Sequence, residues 1–279
     1  MDSIKASAVC AITGGVKEIE IFKTRKIGQG SFGEVFHIEV AGVGYAMKMV
    51  FERDDYINRE LVMLQRFRHE SIVSLQWYFY GERRGNGVFL NIGMEYIRQD
   101  LLALINQKYV FTRQELAVYG SKLLDGVAYL HGLNVAHRDI KPSNLLIDER
   151  LEVLKLCDLG SAKEMRPGDK SVTYICSRNY RAPEVCSGAA YTTKLDIWSS
   201  ACVIAEMIIG GPLFRSSTSD VHLKNILEKT PKIPDYLLRK AKERNITDMV
   251  NILVDMFKIC PDKRIGAREA RDRFRACLE

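Results

Sequence analysis

The stretch HRDIKPSN at residues 137–144 places His137, Arg138, Asp139, Lys141 and Asn144 in one short loop between two apolar segments. A carboxylate, an ammonium and an amide at this spacing suit phosphoryl transfer. The acid receives a hydroxyl proton, the cation steadies developing phosphate charge, and the amide oxygen holds a metal. One such string arises by chance. The reading therefore depends on whether groups for a nucleotide occur elsewhere, in elements able to aim them.

Upstream, IFKTRKI and EVFHIEV carry the β-branched and aromatic content of strands. Between them runs GQGSFG, with Gly28, Gly30 and Gly33 at G-x-G-x-x-G spacing. A Rossmann turn shares this spacing but leads into a helix. Here the strand-like VFHIEV follows, so a hairpin covering phosphates fits better, built from Ile27, Gly28, Gln29, Gly30, Ser31, Phe32, Gly33, Glu34 and Val35. Its glycines let the backbone approach phosphate oxygens without a Cβ clash; the plain alternative is an ordinary hairpin turn. Next, YAMKMV sets Lys48 in an apolar strand, where a lysine is costly unless paired. Ala46 beside it offers a small flat surface to a planar base. Residues 54–67 are expected to form a helix with Ile57, Leu61 and Leu64 on one face, and Glu60 next to that face is the assigned partner of Lys48. Two unrelated surface charges are the bland alternative.

VFLNIGMEYI at residues 88–97 reads as a buried strand ending at a lobe junction. Met94 would back the pocket there, and backbone groups of Glu95 and Ile97 would bond an adenine edge, an assignment resting on position alone. Residues 112–132 are expected to form a long helix that starts with a Thr112/Glu115 capping box and delivers the chain to the 137–144 loop. Two short strands then lead into CDLG, where Asp158 would bind metal ions bridging the phosphates. Cys157, just before it, is either a reactive thiol or an inert buried cysteine. Asp196, at the start of the apolar helix 193–209, is the kind of buried acid that holds loop N–H groups. Residues 218–279 look helical, broken at Pro231, Pro234 and Pro261.

Composition sets outer limits. The 279 residues are 47% hydrophobic, enough for a substantial core or two small ones. The net charge of +6 is scattered, which favours a solvated surface over a nucleic-acid partner. Seven cysteines without a C-x-x-C pair read as reduced thiols, hence a cytoplasmic or nuclear setting. No signal core, membrane span or internal repeat is visible.

Taken in order, G-x-G-x-x-G-x-V, AMK, a helix glutamate, HRD-x-K-x-x-N, DLG, APE (Ala182-Pro183-Glu184), D-x-W-S and the late Arg264 resemble a eukaryotic serine/threonine protein kinase over residues 21–279. The resemblance implies an α+β, bilobal fold. An antiparallel sheet with one helix occupies residues 21–96 and a mainly helical lobe residues 97–279, after an extension at residues 1–20. It implies ATP and Mg²⁺ as cofactors, with Asn144 and Asp158 as metal ligands and the Lys48–Glu60 pair on the α- and β-phosphates. Glu184 is expected to pair with Arg264.

More narrowly, NREL at 58–61, LGSAK at 159–163 and YICSRNYRAPEV at 174–185 are similar to glycogen synthase kinase-3 and its fungal and protist relatives. That likeness implies substrates already phosphorylated four residues C-terminal to the target, read by three cations that map to Arg59, Arg138 and Lys163. It also implies phosphorylation of Tyr174, which would pair with Arg178 or Arg181. The expected partners are protein substrates met by a monomer, with no nucleic acid and no membrane.

Departures from the family are specific. Leu159 replaces the phenylalanine of DFG and is expected to fill an apolar slot against Leu64 and His137. Asn179 replaces a tyrosine of SRYYRAPE. Between LEKTP and PDKR the chain is roughly thirty residues shorter than the family needs, which argues against docking of axin-type scaffolds. Two rival functions are weighed against this. A catalytically dead scaffold would have lost Lys48, Asp139 or Asp158, and none is lost. A small-molecule kinase has no need of the APE segment and the Tyr174 region, which build a peptide groove.

Overall fold

The computed structural model describes residues 3–30, 33–55, 57–148, 150, 153–166, 175–241 and 244–278. The chain divides into two compact units, 1–98 and 99–279. The first is a closed antiparallel barrel of β1 (Ser3–Cys10), β2 (Val16–Gly30), β3 (Gly33–Val40), β4 (Val43–Arg53), β6 (Gly87–Glu95) and β5 (Leu75–Arg84), in that order around the wall. Closure comes from β1, which pairs along β2 from Ser3↔Phe22 to Val9↔Val16 and then meets β5 through Val9↔Tyr78 and Cys10↔Trp77. Residues 3–10 and 16–20, set aside within an extension above, are therefore strand. They cover what would otherwise be an open sheet edge. Ala8, Ile21, Ile38, Met47, Trp77 and Phe79 form the interior. Gly93 lies directly under Trp77, where a Cβ would come within 2.4 Å of the indole ring.

Helix α1 (Arg59–Arg66) is shorter than the expected 54–67. The Asn58 side chain accepts from the Leu61 N–H at 3.0 Å and so caps the helix there. The Asn58 N–H is itself bound by Glu52 Oε1 at 2.8 Å. Ile57, expected on the core face, precedes the cap and is 78% exposed, whereas Leu61 and Leu64 are buried as their spacing predicts.

The second unit is mainly helical: α2 (Leu101–Asn106), α3 (Arg113–Gly132), α4 (Pro183–Cys186), α5 (Lys194–Ile209), α6 (Ser219–Lys229), α7 (Ile233–Ala241), α8 (Thr247–Met256) and α9 (Ala267–Ala276). Its strands are short. β7 (Gln99–Asp100), β9 (Leu145–Asp148) and β10 (Val153–Leu156) make one small sheet, and β8 (Val135–Ala136) pairs with β11 (Lys163–Glu164). Helix α3 begins with the expected capping box, Thr112 with Glu115. It packs on α5 and α9. Helix α5 is buried on all sides, as an all-round apolar helix must be. Trp198 at its centre stacks on Phe214 and meets Phe257 edge-on, at 5.8 and 5.1 Å between ring centroids. The nine-residue α7 packs against α5 and α8.

Candidate active site

In the first unit, the hairpin of β2 and β3 pairs Gly28 with Val35, Gln29 with Glu34 and Gly30 with Gly33. Gly33 has φ 146°, and a Cβ there would lie 2.2 Å from the Met49 carbonyl oxygen, so only glycine fits. Ile27 is exposed beside the hairpin, while Ser31 and Phe32 at its tip lie outside the described residues. One strand over, Lys48 stands opposite Val35. Its Nζ donates to Glu60 Oε2 at 2.6 Å, and both side chains are nearly enclosed. Asn58 caps α1 two residues earlier and so fixes where Glu60 points. Ala46 and Met94 face each other across β4 and β6, both buried, and Glu95 and Ile97 close that run half-buried. Arg59, next to Glu60, is exposed.

In the second unit, Asp196 organises the 137–144 loop from below. It is fully buried at the start of α5 and accepts the N–H groups of His137 and Arg138 at 2.8 and 2.9 Å. His131 Nε2 lies 3.0 Å from the same carboxylate. These bonds hold Arg138 at φ 66°, a conformation non-glycine residues seldom adopt without such support. His137, fully buried, reaches the Cys157 carbonyl from Nε2 at 3.1 Å.

The loop's acid is held on every side. Lys141 Nζ donates to Asp139 Oδ2 at 2.8 Å, and Asn144 Nδ2 donates to the Asp139 carbonyl and to Oδ2 at 2.9 and 3.1 Å. Ser177 donates its N–H and its hydroxyl to Oδ1 at 3.1 and 2.9 Å. Burial pushes the Asp139 carboxyl up, but Lys141, Ser177 and the nearby His137 together outweigh it and hold the group below the ordinary carboxylate range. The acid is thus ionised and aimed. With its Nδ2 committed to Asp139, Asn144 turns Oδ1 away as an oxygen donor. The Cys157 N–H donates to the Asn144 carbonyl at 3.0 Å, which sets Asp158 beside that residue. An amide oxygen and a carboxylate are hard donors of the kind Mg²⁺ takes when phosphates and water complete its shell. Asp158 has φ 60°, and Leu159 after it is fully buried.

Of the three cations, Arg138 and Lys163 come together here. The β8–β11 ladder sets Lys163 opposite Ala136, and Arg138 Nε donates to the Ser161 carbonyl at 2.7 Å. Tyr174 lies outside the described residues. Arg181 is committed to the carbonyls of Ile175 and Cys176 and to the Ser219 hydroxyl. Arg178 Nε is buried with no hydrogen-bond partner among the described residues. Cys157 is half-buried.

Ser177 was missed by the sequence reading. It sits 38 residues from Asp139, inside a string noted only for its likeness to a family. His222 was missed as well. Fully buried, it faces the Arg181 carbonyl from Nε2 at 3.2 Å and the Ser216 hydroxyl from Nδ1 at 2.9 Å. A carbonyl only accepts, so Nε2 carries the proton and Nδ1 receives the hydroxyl. Burial holds its pKa below the usual histidine value, although the Arg181 carbonyl opposes this. The folded chain keeps His222 neutral while the unfolded chain protonates it below about 6.5. Its contribution is therefore complete above that pH and lost as pH falls. The unfolding free energy from urea denaturation should drop between pH 7 and 5.5 by up to about 1.4 kcal/mol per pH unit, with a shallower slope in His222→Gln. Parallel slopes in the two proteins would show that His222 plays no part.

Residues 22–273 match the family description "Protein kinase domain". The serine/threonine-protein kinase RIM11/MSD1 of Saccharomyces cerevisiae is 35% identical over 278 residues, 90% of this chain and 75% of that one. Glycogen synthase kinase 1 of Pyricularia oryzae is 33% identical, over 93% of this chain and 73% of its own. A probable serine/threonine-protein kinase, an MRK1 homolog of Encephalitozoon cuniculi, is 42% identical over 81% of this chain and 71% of its own. An ion-paired lysine in a glycine-hairpin barrel, an aimed aspartate in a helical unit and relatives of this extent converge: the chain belongs to the protein kinase family, among its glycogen synthase kinase-3-like serine/threonine enzymes.

Proposed function

We propose that this chain moves the γ-phosphoryl group of ATP to serine or threonine hydroxyls of proteins that already carry a phosphate four residues C-terminal to the target. The observation carrying the catalytic part is the Asp139 carboxylate, ionised and fixed by Lys141, Asn144 and Ser177. Asp139 orients the hydroxyl and takes its proton late, as the bond to phosphorus forms. Lys141 meets the charge on the transferring group. Lys48, pinned by Glu60, clamps the α- and β-phosphates, and the β2–β3 hairpin covers them and keeps water out. Asn144 and Asp158 would hold Mg²⁺, which when bound neutralises phosphate charge. Adenine would lie against Ala46 and Met94, bonded through the backbone of Glu95 and Ile97.

The priming preference is supported by Lys163 pairing with Ala136, two residues before Arg138, and by the Arg138 Nε bond to the Ser161 carbonyl, with Arg59 as the third cation by family likeness. Several charge-assisted bonds on one phosphate make a strong anchor. Tyr174, once phosphorylated, would find a donor in Arg178 Nε, which is buried without a hydrogen-bond partner among the described residues. The enzyme acts on its substrates as a monomer. The stretch before the last helices, roughly thirty residues shorter than the family needs, argues against axin-type scaffold docking.

Two peptides that differ only in a phosphoserine four residues after the target serine test this reading. The primed peptide should be phosphorylated with at least about tenfold higher kcat/KM, the worth of one charge-assisted bond. Arg59→Ala should erase most of that preference and leave the unprimed rate unchanged. Equal use of both peptides by the wild-type chain would remove the priming assignment and leave a protein kinase.

A further inference from the structure

One end of the barrel is open. A cavity of about 530 Å³ occupies the mouth of the first unit and is walled by residues from all six strands. Its floor is Ile21, Met47 and Phe79, and Met49 and Phe89 form its sides. Barrel mouths of this size and apolar lining are common small-ligand sites. Three further observations bear on the occupant.

First, a polar group is buried in the apolar wall. Asn91 is 5% exposed, and its side-chain amide makes a long hydrogen bond, from Nδ2 to the Phe89 carbonyl at 3.3 Å. Second, a glycine beside it makes room for that amide. Gly81 lines the cavity, and a Cβ there would meet Asn91 Nδ2 at 3.1 Å and Phe79 at 3.9 Å. Third, the rim charges are unequal. Glu34 is taken by Lys26, and Glu82 by Arg84. Lys23 has no carboxylate partner among the described residues; its ammonium rests over the Phe36 ring at 4.4 Å.

We propose that this mouth binds a medium-chain aliphatic carboxylate. The chain lies on Met47, Met49, Phe79 and Phe89, and the carboxylate meets Lys23 at the rim. Because strand side chains alternate, Met47 and Met49 face the cavity while Lys48 between them faces the other way. A ligand here therefore seats on the strand that carries the nucleotide-clamping lysine without touching its site.

Calorimetric titration of the full chain with hexanoate, octanoate and decanoate reads the proposal directly. Each added methylene should tighten binding about fourfold, the equivalent of ~0.8 kcal/mol per buried CH₂. Decanol should bind about fivefold more weakly than decanoate, the size of a partly exposed ion pair, and Lys23→Gln should remove that difference. Gly81→Ile, with a strand-forming side chain placed in the mouth, should abolish binding while the circular dichroism spectrum stays unchanged. Should that variant fail to fold, the Lys23→Gln comparison decides alone. An absence of decanoate binding, an affinity independent of chain length, or decanoate and decanol bound alike by the wild-type chain would overturn the assignment.

Discussion

Asp139→Asn should lower kcat by about 10² to 10⁴ while ATP affinity stays near the wild-type value. The size follows from what the amide cannot do. Asp139 Oδ2 accepts from both Lys141 and Asn144, and Oδ1 accepts twice from Ser177. An asparagine has one acceptor oxygen. It either turns its NH₂ toward two donors or surrenders Ser177, and in neither pose does it take a proton. The nucleotide clamp, Lys48 with Glu60, belongs to the first unit and is left alone. Single-turnover phosphorylation of a peptide, beside titration with a fluorescent nucleotide, separates the two effects. Ser177→Ala, which removes only a positioning hydroxyl, should cost far less and chiefly in kcat. Activity of Asp139→Asn within tenfold of wild type would show that the carboxylate is not the group that aims the hydroxyl.

The groups most legible in the sequence are those whose chemistry is costly without a partner. A lysine in an apolar strand demands an acid, and Glu60 lies 2.6 Å from Lys48. An acid at the start of an apolar helix demands N–H groups, and Asp196 takes those of His137 and Arg138. Helix α3 was legible because its capping box is local. What sequence hid depends on partners distant along the chain. The closing of the barrel rests on Val9↔Tyr78 and Cys10↔Trp77, a register set by strands nearly seventy residues away. Because β1 carries small and polar residues, its pattern alone did not mark it as strand. The late start of α1 came from a competition. Apolar spacing favoured a helix through Ile57, but the Asn58 side chain and the Glu52 carboxylate captured the N–H groups that such a helix would need. Ser177 meets Asp139 from a segment that Tyr180, Arg181 and Glu184 anchor just beyond it, and no spacing in the string announces that contact.

That anchoring yields the largest expected stability effect. Arg264 is wholly buried and grips Glu184 with two parallel bonds of 2.8 and 3.0 Å. It also donates to the carbonyls of Lys194 and Lys258 at 2.7 and 3.1 Å, and its guanidinium lies 5.3 Å from the Trp198 ring. Removing one member of such a pair leaves a buried charge uncompensated, at a cost of about 3–5 kcal/mol. Domains of ordinary stability hold only about 5–15 kcal/mol in total. Arg264→Ala should be the harsher change, because it takes the donor from the Lys194, Lys258 and Ile259 carbonyls as well as from Glu184. Glu184→Ala leaves the guanidinium its carbonyl partners and should cost less. Arg264→Lys should rescue little, since a compact ammonium cannot span both carboxylate oxygens and the carbonyls together. Guanidinium denaturation followed by tryptophan fluorescence reads all three, as Trp198 sits against the pair. A loss under about 1 kcal/mol in Arg264→Ala would mean the pair is no stronger than a surface bridge. The expected ranking would instead tie stability to catalysis. Glu184 lies in the first turn of the short helix α4 just beyond Ser177, so the bond that keeps the second unit folded also keeps Ser177 on the Asp139 carboxylate.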